Sequence, residues 1–150
     1  MTQTDTKMEH QIFCLPSNKL YYGLELDSII ETVQNVQITP IPCLPEYYCG
    51  VCNHKGTVVP VLSLDRLAGS SGTEHHEHTV VVMIQCGEYE CGILTGEQPV
   101  LMDVTGAVPL QEESGGLSDR MTIRKACVTQ KGVVLILDVQ ATLEGLIVCA

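Results

Sequence analysis

The chain has 150 residues, 45% of them apolar, which is enough for one domain with its own core and too much apolar content for disorder throughout. Eighteen acidic against eight basic residues give a net charge of −10, which speaks against a nucleic-acid backbone or an anionic membrane as partner; with no Trp and one Phe, rings for stacking bases or sugars are scarce. No apolar run reaches the roughly 18 residues of a membrane helix, and the first six residues lack the cationic and apolar stretches of a secretion signal, so a cytoplasmic chain with reduced thiols is expected.

Residues 1–10 are polar and read as a flexible terminus. Ile12–Leu15 is a short apolar run, Pro16–Lys19 has turn chemistry, and Leu20, Tyr22, Leu24 and Leu26 alternate at period two, which predicts a hairpin with one buried face. Ile30–Val36 reads as a third strand. Prolines at 40, 42 and 45 exclude a central strand or a helix there. Gly50–Asn53 and Thr57–Leu62, joined by His54-Lys55-Gly56, form a second hairpin, after which Ser63 caps a short helix through Leu67, closed by Gly69. Residues 70–78 read as a polar loop. Strands follow at Thr79–Ile84, Tyr89–Leu94 and Pro99–Val104, then a long polar loop from Gly106 to Asp119. Ile123–Thr129 and Val133–Leu137 make a last hairpin, and Asp138 caps a helix with apolar residues at Val139, Leu143, Leu146 and Ile147.

The second half repeats the first. Lys55-Gly56 before Thr57–Ser63 resembles Lys131-Gly132 before Val133–Asp138, and Tyr22-Gly23-Leu24 pairs with Cys91-Gly92-Ile93. Two similar, mostly antiparallel β units are expected, each with a short helix, and closure into small barrels would remove exposed strand edges.

These residues also carry a resemblance. Tyr22-Gly23-Leu24, Glu31, the Pro42-x-x-Pro45 loop, Gly50-Val51-x-Asn53-x-Lys55-Gly56 and Val59-Pro60-Val61-Leu62-Ser63-Leu64 resemble the CheW-like domain family of bacterial chemotaxis, with a looser match at Val80–Val82, Cys91-Gly92-Ile93 and Val133–Asp138. The resemblance implies an all-β fold of two tandem SH3-like five-stranded β-barrel subdomains with short capping helices. It places one domain over 11–150, with subdomains over about 11–69 and 79–150. It implies a non-catalytic adaptor that couples a CheA-type histidine kinase regulatory domain to the cytoplasmic tip of a methyl-accepting chemoreceptor. No cofactor and no direct membrane contact are expected. The partner-binding residues it points to are Glu31, Asn53, His54, Lys55, Gly56 and Pro60. Lys55 stands where the family usually has Arg, which keeps the charge and loses the planar fork. His54 stands in place of an apolar residue, and Thr95-Gly96 where the family has Val-Asp. A stand-alone CheW-like module of another signalling system is the second reading.

A third reading rests on thiols and imidazoles. Cys49-x-x-Cys52, with Cys43 and His54 nearby, has zinc-type ligands but lacks a second knuckle, so the expectation is that Cys43 and Cys49 flank a loop while Cys52 packs in the barrel. His75-His76-Glu77-His78 reads as a solvated loop with incidental metal affinity. Asp103, Glu112 and Glu113 read as a solvated acidic face. The charge is −3 up to Gly69 and −7 beyond it, which favours a basic partner for the second unit.

Overall fold

The structure, a computed structural model, describes residues 11–17, 20–68, 80–108 and 121–148, with 107, 108 and 144–148 described in backbone only. The expected His75–His78 and Glu112-Glu113 features, the closing Gly69, and the side chains of Leu146 and Ile147 lie outside the described residues. Eleven strands account for most of what is described, in two sheets. The first half supplies β1 (Gln11–Ser17), β2 (Leu20–Leu24), a 3-10 turn (Leu26–Ser28), β3 (Ile29–Gln34), β4 (Tyr48–His54), β5 (Thr57–Ser63) and the one-turn helix α1 (Leu64–Leu67). The second supplies β6 (Val80–Cys86), β7 (Tyr89–Thr95), β8 (Val100–Asp103), β9 (Gly106–Val108), β10 (Ile123–Thr129), β11 (Gly132–Leu137) and helix α2 (Val139–Val148). The helix caps are as expected: Ser63 Oγ accepts from the Arg66 N–H at 3.3 Å, and Asp138 Oδ1 accepts from the Ala141 N–H at 3.0 Å.

One sheet runs β8-β1-β2-β11-β10-β9 and the other β3-β6-β7-β5-β4. The expected division between about 69 and 79 does not follow the sheets. The repeat is a hairpin, a strand and a second hairpin, but each repeat's opening hairpin completes the other repeat's sheet. β1–β2 lies between β8 and β11, while β6–β7 lies between β3 and β5. The joins are parallel, Tyr22 opposite Leu135 in one sheet and Leu62 opposite Ile93 in the other. Gly23 and Gly92 sit at these joins for a steric reason. A Cβ on Gly23 would come within 2.6 Å of Ile12 Cδ1, and one on Gly92 within 2.6 Å of Val81 Cγ1.

Three further expectations need correction. Gly106–Val108 is a short strand against β10 and not the start of a loop. Leu26 belongs to the 3-10 turn and is exposed, because the alternation of β2 stops at Leu24. The two Lys-Gly pairs are one residue out of structural step. Lys55-Gly56 are the two turn residues between His54 and Thr57, whereas Gln130-Lys131 form the turn between Thr129 and Gly132.

Strand alternation sorts the core. Ile12 and Cys14 of β1 join Met102, Cys127, Val134 and Ile136 inside the six-stranded sheet. Leu15, Tyr22 and Leu24 face the other way and pack with Val81, Met83, Leu62 and Leu94 of the five-stranded sheet in the main core. Val80–Ile84 is buried on both faces, which is why it reads as an unbroken apolar run. Ser17 Oγ donates to Asp65 and ties the end of β1 to α1.

Candidate partner-binding site

The five predicted residues of the first unit other than Pro60 meet at one end of the five-stranded sheet. The β4–β5 turn has two residues, and both have positive φ, Lys55 at 53° and Gly56 at 88°. That is the type I′ geometry whose twist matches paired strands. Asn53 Oδ1 accepts the Gly56 N–H at 2.9 Å and fixes the turn. Glycine suits this φ and lysine does not, so Lys55 is held in a left-handed conformation while its side chain stays 75% exposed.

Glu31 reaches the same place from β3. The pairing of β3 with β6 shifts between Ile29 and Glu31, an irregularity of the kind that re-aims a strand's side chains. β3 and β4 are the two edges of the sheet, and no ladder joins them among the described residues. Side chains do so instead. His54 Nε2 lies 2.5 Å from Glu31 Oε2, and Lys55 Nζ lies 3.5 Å from the same oxygen. Behind them, His54 Nδ1 lies 3.0 Å from Glu90 Oε2 on β7. His54 is only 9% exposed, so this is a nearly buried imidazole between two carboxylates. The hydrogen bond to Glu31, then that to Glu90, raises the His54 pKa above its usual value, against burial, which acts in the opposite direction. The His54 hydrogen bond is the main influence on Glu31; with help from Lys55 it holds that carboxyl below its usual range despite partial desolvation.

Pro60 lies apart from the turn. With Tyr48, Leu62, Tyr89 and Leu143 it lines a mostly apolar depression of about 260 Å³, which Glu90 also lines. Glu90 is therefore the link between the charged cluster and this depression, and sequence reasoning missed it. Its signal was an acidic residue inside a strand that is apolar from Cys91 to Leu94.

The thiols do not gather into a ligand set. Cys43 is exposed, Cys52 is buried in the main core and Cys49 packs partly against it. Burial pushes the Cys49 and Cys52 thiols up, with Glu90 adding at Cys52. Both ring nitrogens of His54 are taken by carboxylates from different directions, and among the described residues no three His, Cys, Asp or Glu side chains converge as metal ligands. Among those residues, too, no helix is long and apolar enough to cross a membrane.

Comparison with known proteins agrees with this fold. The sequence profile of the CheW-like domain matches residues 11–146, and the chain belongs to that family, a family of non-catalytic scaffold proteins. The chain is 28% identical to the chemotaxis protein CheW of Klebsiella aerogenes over 128 residues, 77% of this chain and 76% of that one. It is 23% identical to the chemotaxis protein CheW of Thermotoga maritima over 149 residues, 98% and 96% of the two chains. A third relative, protein FrzA of Myxococcus xanthus, is 28% identical over 86 residues, and the match spans about half its length, 54%. The crystal structure of the scaffolding protein TtCheW from Thermoanaerobacter tengcongensis superposes with a TM-score of 0.70 at 19% identity, covering 87% of this chain and 90% of that one.

Proposed function

We propose that this chain is a cytoplasmic, non-catalytic adaptor that couples a CheA-type histidine kinase regulatory domain to a chemoreceptor tip, acting as one domain over 11–150. The observation that carries this reading is Lys55, a largely exposed lysine kept in a backbone conformation that disfavours it, at the tip of a turn. Strain of this kind clusters at functional positions, and a turn tip is where a rigid sheet presents a contact. Glu31, Asn53, His54 and Gly56 position that tip, and Pro60 belongs to the adjoining apolar depression. A charge beside an apolar depression fits a transient interface that desolvates the charge as it forms.

The test is a binding titration of the full chain against the regulatory domain of a co-encoded kinase and, separately, a receptor tip fragment. Lys55→Glu is expected to weaken binding of one of them tenfold or more, about 1.4 kcal/mol. Lys55→Arg, which restores the forked donor, is expected to bind at least as well as the wild type. Unchanged binding of Lys55→Glu removes this turn from the coupling surface. Failure of the wild type to bind either partner at high micromolar concentration overturns the coupling reading in favour of a module of another signalling system.

A further inference from the structure

The His54 cluster does more than position a turn. β3 and β4 are the open edges of their sheet, with no ladder between them among the described residues. The strand-flanking Thr39 bridges to the middle of β4, with Thr39 N to Val51 O at 2.8 Å and Val51 N to Thr39 O at 2.9 Å. At the end of β4, His54 makes its two contacts, Nε2 to Glu31 and Nδ1 to Glu90. A carboxylate can only accept, so a ring nitrogen bonded to one must carry a proton. Neutral imidazole has one N–H and imidazolium has two. The observed pair of contacts is complete only when His54 is charged.

We propose that His54 is a proton-dependent clasp that closes the seam between β3 and β4. When charged, it ties β3, β4 and β7 together. When it loses its proton, a ring lone pair faces a carboxylate, one contact is released, and the seam loosens. Glu31 faces the imidazole from β3 and Glu90 from β7, with Lys55 on His54's own turn sharing the Glu31 oxygen and the buried Cys52 thiol of β4 beside Glu90. The clasp does not depend on which partner the domain binds.

The direction of the pH effect follows from linkage. A histidine whose pKa is raised by folding contributes fully below its unfolded value, about 6.5, and loses that contribution as pH rises through the folded value. Glu31, whose pKa is lowered by folding, contributes above the ordinary carboxylate range and loses its part as pH falls through the folded value. The seam is tightest between those limits and loosens on the alkaline side first through His54.

The experiment is an NMR titration of the full chain from about pH 6 to about pH 9, with the His54 ring signal assigned by comparison with His54→Gln. Amide protection, corrected for the intrinsic pH dependence of exchange, is measured for β3 and β4 against β6 of the same sheet. The His54 ring is expected to titrate above the usual histidine value, and β3 and β4 to lose at least about fivefold protection relative to β6 across that titration. In His54→Gln the ratio should be independent of pH. A His54 midpoint at the ordinary value, or a β3 and β4 ratio that stays constant through the titration, overturns the clasp. If His54→Gln does not fold, Glu90→Gln serves: it should lower the His54 midpoint, and an unchanged midpoint overturns the proposal equally.

Discussion

Replacing Lys55 with Asn separates the stability of the β4–β5 turn from its use. Lys55 has φ 53°. A left-handed conformation costs an ordinary side chain about 1–2 kcal/mol, while Asn is among the few residues that tolerate it. Asn-Gly is also the preferred pair for a type I′ turn, and Gly56 already supplies the second residue. The losses are small, because Lys55 is 75% exposed and its contact with Glu31, at 3.5 Å, is open to water. A net gain of about 1 kcal/mol is expected, which raises Tm by about 2–4 °C in a domain of this size. Thermal unfolding followed by circular dichroism measures this directly, and the denaturant midpoint should move in the same direction. Lys55→Ala serves as a control: it removes the same side chain but keeps the backbone penalty, so it should melt no higher than the wild type. If the Asn variant melts at or below the wild-type temperature, backbone strain at Lys55 does not outweigh the contacts its side chain makes, and the reasoning from φ fails. A variant that is more stable and binds its partner less well is what a residue kept for binding should give.

Other substitutions test the fold and the thiols. Gly50 has φ 145°, and a Cβ there would lie 2.2 Å from the Thr39 carbonyl oxygen. Gly50→Ala should therefore disrupt the Thr39–Val51 bridge and cost about 3 kcal/mol or more, a fall of about 6–12 °C in Tm; a fall under about 3 °C refutes the steric account. Gly92→Ala should cost about 1–3 kcal/mol by overpacking against Val81, and the double variant with Val81→Ala should recover part of it, whereas strictly additive losses show that the two positions do not compete for space. Burial pushes the Cys14 thiol up to about 11 and Cys91 up to about 12, so a thiol reagent near neutral pH should modify exposed Cys43 first and reach these two only on unfolding. Cys91 reacting as fast as Cys43 contradicts that order.

Local chemistry made most of the strands legible. The hairpins at β4–β5, β6–β7 and β10–β11 are marked by Gly56, Gly87 and Gly132, each with positive φ, and Ser63 and Asp138 marked the helix starts. The exchange of hairpins between the repeats left no such mark. It depends on parallel pairing between segments far apart in sequence, and a strand buried on both faces looks the same whichever sheet it joins. β9 escaped because three residues on an edge carry no measurable alternation. At the site, the turn residues Asn53, Lys55 and Gly56 were readable because a two-residue turn is a local object. Glu90 was not, because its partner His54 lies on a strand that β5 separates from β7.

The exchanged hairpins also set an order of assembly. All five strands of the sheet that contains β3 and β4 occupy a continuous stretch, residues 29–95, so that sheet can close while the rest of the chain is still being synthesised. The other sheet is split, with β1 and β2 made first and β8 to β11 made last. Until β8 and β11 emerge, the opening hairpin has a vacant ladder on each side, the arrangement most prone to pairing with a wrong chain. Released chains truncated just after Thr95 should therefore protect the amides of β6 and β7 while leaving Cys14 of β1 open to thiol reagents, and protected Cys14 in such chains would contradict this order. For a cell making this protein, the hairpin made before the rest of its sheet is the last to be covered.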